Sequence, residues 1–276
     1  MIEYSHLHCH TEYSLLDGVS KIKDIVKKAK DLEMKSLAIT DHGNMFGVPS
    51  FVFNAQKEKI KPIIGCEFYL ADNMHDRKNK VMYHQVLLAK NMVGYHNLSR
   101  LCSLGYLEGF YYKPRIDKEL IKKHSEGVIA TTCCISGEIP RAILNKGIEK
   151  ARNLLFEWLN IFGSDYYIEL QRHEIQEQDI CNEVLIRWSK KYNIKLIATN
   201  DVHYTEKKDS EAQDVLLSIQ TGKLLSDEKR MRFKTNHFYL KSQQEMLFLF
   251  RDIPESVYNT QEIADKVENF FLEKDI

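Results

Sequence analysis

Net charge is the first thing this sequence lacks: 39 Lys and Arg balance 39 Asp and Glu over 276 residues. With no overall field, any attraction to nucleic acid has to come from a local patch. No run of about eighteen apolar residues occurs, which excludes a hydrophobic membrane-spanning helix. The N-terminal stretch has no basic segment leading into an apolar one, so no signal peptide is read and a cytoplasmic location is expected. A disulfide framework is missing too. Cys9, Cys66, Cys102, Cys133, Cys134 and Cys181 are scattered through a chain too large to need stapling, and the adjacent Cys133 and Cys134 do not make a C-x-x-C ribbon. Internal repeats, low-complexity tracts and Pro/Gly/Ser-rich linkers are absent, so one compact unit with a tail is the economical reading.

What is present is an alternation of apolar runs and amphipathic stretches. Ile22, Ile25, Val26, Ala29 and Leu32 recur at helical spacing behind Ser20, an available N-cap. "SLAIT", residues 36–40, then reads as a short buried strand. Further strands are expected at 61–69, 85–89, 127–132, 166–170 and 195–199, with helices at 94–102, 148–162 and 176–192. Counting "HLHCH" at His6–His10, that makes seven strands in a parallel α/β sheet or barrel. After His203 the pattern turns to helices at 208–221, 242–250 and 253–267 around the basic, aromatic "EKRMRFKTNHFYL", read as an appendage.

Polar residues gather at the ends of these strands, where barrel enzymes build their sites. On a strand, His6, His8 and His10 would share one face. His8 with His10, and Asp201 with His203, are pairs two residues apart at separate strand ends, a pattern that packing explains poorly and a bound cation explains well. Asp41 and His42 in "TDHGN" end another strand, though an aspartate there also reads as a helix cap. Glu67 closes the apolar run "PIIGCEF", where an unpaired carboxylate would be costly.

"HLHCHTEYSLLDG", "ITDHGNMFG", "KPIIGCEFYL", "YHQVLLAKN", "YLEGFYYKPRID", "CCISGEIP" and "ATNDVHY", in this order, resemble the polymerase and histidinol phosphatase (PHP) domain of the bacterial replicative DNA polymerase III alpha subunit. "FYLKSQQEM" and "PESVYNTQEIADK" extend the resemblance toward the segment that leads to the polymerase proper. It implies a distorted seven-stranded (β/α)7 barrel over 1–225, with a metal cleft at the C-terminal strand ends, and an extension over 226–276. It also implies up to three divalent ions: zinc, manganese or iron. By similarity, His8, His10, Glu67 and Asp201 would hold one ion. Glu67, His84 and Cys134 would hold a second, with Cys133 the alternative thiolate, and Asp17, His42 and His203 a third. Asp17 followed by Gly18 is equally an ordinary turn signal. His6 is given a supporting role, Cys9 a packing role, and His75, His96, His124 and His237 the surface. Lys113, Arg115, Arg172 and His173 are candidates to reach a phosphate above the ions.

The resemblance further implies a metal-bridging hydroxide held by His8, His10, Glu67 and Asp201 that attacks a phosphodiester. The leading expectation is a 3′ to 5′ exonuclease proofreading the primer 3′ end for an attached polymerase. The alternatives are a non-catalytic, metal-stabilised docking module and a small-molecule phosphatase. Implied partners are DNA, the remainder of the alpha subunit, a separate proofreading subunit and, through the longer protein, a sliding clamp. No segment resembles a polymerase palm, so no DNA synthesis is expected of this chain.

Overall fold

The computed structural model describes residues 3–270. Its strands are β1 Ser36–Ile39, β2 Lys61–Leu70, β3 Tyr83–Ala89, β4 Arg115–Ile116, β5 Val128–Thr131, β6 Tyr166–Leu170 and β7 Leu196–Ala198. The helices used below are α1 Ile22–Asp31, α2 Val48–Glu58, α3 Met92–Leu107, α4 Lys118–Lys123, α5 Glu138–Asn145, α6 Ile148–Phe162, α7 Gln176–Tyr192, α8 Ser210–Thr221, α9 Gln243–Leu249 and α10 Glu255–Lys266. The sheet curls in the order β1-β2-β3-β5-β6-β7, with β4 beside β2.

In α1, Ile22, Ile25, Val26 and Ala29 are buried, as their spacing requires. Each larger one contributes about 2 kcal/mol by leaving water. The Ser20 hydroxyl does not cap this helix: Lys21 holds the N-cap position, and Ser20 Oγ is buried without a hydrogen bond.

Two expectations about strands are corrected. The sheet is mixed rather than parallel, because β3 runs antiparallel to both β2 and β5. Residues 71–82 between β2 and β3 contain no helix, and a connection without a crossover element joins antiparallel neighbours. "HLHCH" is also no regular strand. Only His6 and Cys9 form bridges, to Leu37 in β1 and to Val202 beyond β7. Its backbone is nevertheless bonded on both sides: His6 O accepts from Ala38 N at 2.9 Å, and His10 N donates to Val202 O at 2.7 Å. The segment therefore lies between the two end strands of the sheet.

The C-terminal region packs on the same core, to which Met246, Phe250, Val257 and Ile263 belong. Helix α9 opens with a capping box between Ser242 and Glu245. Helix α10 covers the starts of strands: Asn259 Nδ2 donates to Leu196 O at 2.8 Å, and its Ala264 carbonyl accepts from Lys61 Nζ at 2.7 Å.

Candidate metal centre

Six chain segments bring their polar residues to one end of the sheet. His8 and His10 come from the bridging segment, Asp17 from the loop after it, His42 from the turn after β1, and Asp201 and His203 from the turn after β7. Glu67 is within β2. His84 comes from the start of β3, not from a strand end. The antiparallel register sets Tyr69 opposite His84, so the beginning of β3 lies beside the end of β2. The turn at "DHG" depends on Gly43, whose φ of +62° is left-handed; a Cβ there would lie 2.9 Å from the Tyr69 ring. Asp201 (φ +45°) and Cys133 (φ +61°) also sit in the left-handed region, a local strain of about 1–3 kcal/mol each that the surrounding fold has to sustain.

Glu67 is the hub. Its Oε2 lies 2.5 Å from His42 Nδ1 and 3.6 Å from His10 Nε2, while its Oε1 lies 2.9 Å from His84 Nδ1 and 3.3 Å from His8 Nε2. Asp201 Oδ1 is 3.2 Å from both His8 Nε2 and His10 Nε2 and 3.6 Å from His203 Nδ1. Asp17 reaches His42 Nε2 at 3.0 Å and His203 Nε2 at 3.9 Å. Both thiols approach Glu67 Oε1, Cys133 at 3.3 Å and Cys134 at 3.8 Å, and Cys134 alone also approaches His84 Nδ1, at 3.8 Å. Donor atoms converge in four overlapping groups: His8, His10, Asp201; His42, Glu67, His84; His10, His42, His203; and His8, Glu67, Cys133.

These contacts are close but poorly aligned. Among the described residues, ten buried side-chain polar atoms lack a hydrogen-bond partner, and five are here: His8 Nε2, His10 Nε2, His42 Nδ1, Glu67 Oε2 and Asp201 Oδ1. Buried lone pairs are almost always satisfied. Five that converge without bonding one another fit divalent-cation binding, which would use all of them at once.

The charge balance follows from the same geometry. Burial works against the charged form of Glu67, but His84 and His42 hold its carboxyl well below the usual range. Burial also lowers His42, yet Glu67 and Asp17 outweigh it and push the imidazole up to about 9. Burial and the neighbouring His42 and His203 hold His10 down to about 3. The Cys134 thiol is lowered to about 6, first by the Cys133 hydrogen bond and, against burial, by His84.

Two carboxylates support the cluster from behind, Glu169, which the sequence reading passed over, and Asp41, whose strand-end position it noted. Glu169, buried in β6, accepts from His8 Nδ1 at 2.7 Å, from the hydroxyls of Thr131 and Thr199 at 2.6 Å each, and from Gln171 Nε2 at 3.0 Å. It fixes the His8 ring so that Nε2 faces the cluster. A lone Glu inside the apolar "YYIEL" was the available clue. Asp41 caps no helix; it accepts from Thr11 N at 2.6 Å and Ser14 Oγ at 2.7 Å, and Ser14 Oγ in turn meets His10 Nδ1 at 3.0 Å.

His6 turns away from the cluster, to the Lys241 carbonyl at 2.8 Å, because the broken strand does not preserve alternation. Cys9 is fully buried in the core. Three of the four expected phosphate contacts are engaged elsewhere. Arg115 is buried and donates to the carbonyls of Gly109, Asn79 and Met74. Arg172 forks onto Asp252 at 2.6 and 2.8 Å. His173 is buried, stacked 3.9 Å from Phe238 and bonded to Asn200 O at 3.0 Å. Lys113 is exposed, its Nζ 5.2 Å from the centre of the Tyr69 ring.

Burial lowers His173 from 6.5 to about 3. Between those values the unfolded chain binds a proton that the folded chain refuses, so stability falls as pH drops. The loss is up to about 1.4 kcal/mol per pH unit. Urea unfolding across that window should show wild type losing more stability than His173→Gln; equal losses would remove His173 from the account.

The cluster floors a cleft of about 430 Å³ whose walls include Arg141, Gln178, Arg232 and Phe233. The PHP domain family matches residues 6–173. The DNA polymerase III subunit alpha of Borreliella burgdorferi is 50% identical over 272 residues, 97% of this chain and 24% of that one. That of Helicobacter pylori 26695 is 47% identical over 275 residues, 95% of this chain and 23% of that one. That of Thermus aquaticus is 42% identical over 275 residues, 97% and 22%. The chain thus spans about a quarter of the length of these curated relatives. Among solved structures, a two-domain protein from Bacteroides vulgatus containing a predicted PHP-like metal-dependent phosphoesterase overlays with a TM-score of 0.47 at 14% identity, over 93% of this chain and 64% of that one. The chain belongs to the PHP domain family, and its similarity to DNA polymerase III subunit alpha runs through nearly its whole length.

Proposed function

We propose that this chain is a metal-dependent phosphodiesterase that removes nucleotides from the 3′ end of DNA, proofreading for a polymerase of which it forms one part. The observation that carries the reading is the convergence of five buried, unpartnered donor atoms around Glu67 and Asp201. The similarity to polymerase subunits supports DNA as the substrate. In this reading the curled sheet and the segment 6–10 form a distorted (β/α)7 barrel whose C-terminal side carries the metal cleft.

Three ligand sets are proposed: His8, His10, Glu67 and Asp201; Glu67, His84 and Cys134; and Asp17, His42 and His203. Cys134 is favoured over Cys133 because it lines the cleft and approaches His84, while Cys133 lies deeper beside His8 and Glu67. Bound divalent ions acidify water and neutralise phosphate oxygens. The chain's own part is positional. Glu169 and Ser14 hold His8 and His10 in fixed orientations, Asp201 faces three imidazoles with one oxygen, and the barrel wall limits water to the open side.

Metal analysis of the purified chain, followed by nucleotide release from a 3′-labelled primer, tests this. Bound metal and release by wild type, with release by His8→Ala and Asp201→Ala reduced at least about 10³-fold, is the expected outcome. Metal without release in zinc, manganese or cobalt would sink the exonuclease reading. A docking module is the second reading. It is favoured by exposed Phe46, Tyr106, Leu107 and Phe110, which lie partly in ring contact on one surface.

A further inference from the structure

The basic stretch after α8 does not stay apart from the metal cleft. Met231, Arg232, Phe233 and Lys234 all line it, as does Arg141 from α5. Phe233 pins this strap, its ring 4.9 Å from His203 in edge contact and 4.4 Å from Phe238. Arg232 and Lys234 flank the pinned ring and are exposed.

Three other arginines are already occupied. Arg115 is held by carbonyls, Arg172 by Asp252, and Arg230 by both oxygens of Asp214 at 2.5 Å. Arg232 and Arg141 make no ion pair among the described residues, and the one side-chain hydrogen bond of Arg141 is a long 3.4 Å reach to Met82 O. Lys234 meets Glu177, also on the cleft wall, at 3.4 Å, both largely in solvent, a pair too exposed to neutralise it. Two unpaired guanidinium groups beside a floor of Asp17, Glu67 and Asp201 add little to the stability of the fold. Their planar forks match phosphate oxygens. A phosphate on the floor would be taken by the ligand cluster, so cations on the wall suit a second phosphate of the same strand.

We propose that Arg141 and Arg232, assisted by Lys234, hold the phosphate next to the scissile one on a single-stranded 3′ end. The strap makes the C-terminal region part of the substrate site. This rests on the phosphodiesterase reading for which bond is broken, while the strand contact is measurable without hydrolysis.

The test is fluorescence anisotropy with a single-stranded oligonucleotide whose 3′-terminal linkages are hydrolysis-resistant phosphorothioates, titrated over a salt series with manganese present. Arg141→Ala/Arg232→Ala should weaken binding about tenfold and flatten the log–log salt slope by about 0.7, the value for one phosphate of a single strand. Arg232→Lys should recover slope, since it keeps the charge. Lys234→Ala, at an exposed and merely assisting position, should flatten it by less than the double variant does. A nucleoside 5′-monophosphate, which offers one phosphate, should bind wild type and the double variant alike. Unchanged affinity and slope in the double variant would overturn the proposal, and so would equal loss for the monophosphate, which would move the arginines to the floor phosphate. Salt-dependent binding without nucleotide release from an ordinary strand would defeat the phosphodiesterase reading while leaving the strand contact in place.

Discussion

Glu67→Gln should remove at least one bound metal equivalent and cut phosphodiester hydrolysis by about 10³-fold or more, some 4 kcal/mol of transition-state stabilisation. No other side chain among the described residues approaches four imidazoles and two thiols together. The amide keeps the shape but loses the charge and one acceptor oxygen. Its NH2 group would face imidazole nitrogens that need an anion or a cation between them. Plasma emission analysis of the dialysed protein, with primer degradation assayed in parallel, reads both effects. Full metal content with unimpaired hydrolysis would mean that Glu67 is a structural carboxylate and that the hub lies elsewhere.

Glu169→Ala should have the second largest effect, and on stability first. Four donors converge on this buried carboxylate within the curled sheet: His8, Thr131, Thr199 and Gln171. Truncation leaves them facing a cavity without water access, a loss of about 3–5 kcal/mol for a buried charged partner. For a chain of this size that lowers the thermal midpoint by about 10 °C. With the His8 ring no longer oriented, metal affinity should fall about 10- to 100-fold. Calorimetry of the metal-free protein separates the first effect from the second. A midpoint within about 2 °C of wild type would show that His8 is oriented by something other than Glu169.

Much of the site was legible because ligand chemistry restricts residue type. His8 and His10, and Asp201 and His203, announce themselves by two-residue spacing next to apolar runs, and Glu67 by being a carboxylate at the end of one. The extents of α6 and α7 were legible for a similar reason, since a long amphipathic period leaves few alternatives. The arginines were not legible. Arg115, Arg172, Arg141 and Arg232 look alike in one dimension, because a guanidinium carries its charge whether its donors are filled or free. Which of them is spent on Gly109, Asn79 and Met74 or on Asp252 depends on contacts between segments distant in the chain. The direction of β3 was hidden for a related reason. An apolar strand has the same pattern run either way, and only the helix-free connection 71–82 carried a hint.

An α/β sheet with imidazoles and carboxylates at its ends is already written in the order of residues, because hydrophobic period and ligand type are local properties. Tertiary structure alone decided that His84 enters from the start of an antiparallel strand, that His6 leaves the cluster, that Glu169 steers His8, and that a distant basic strap reaches the cleft. Each of those outcomes is a distance between residues far apart in the chain, and such distances are fixed only when the sheet curls and its core closes.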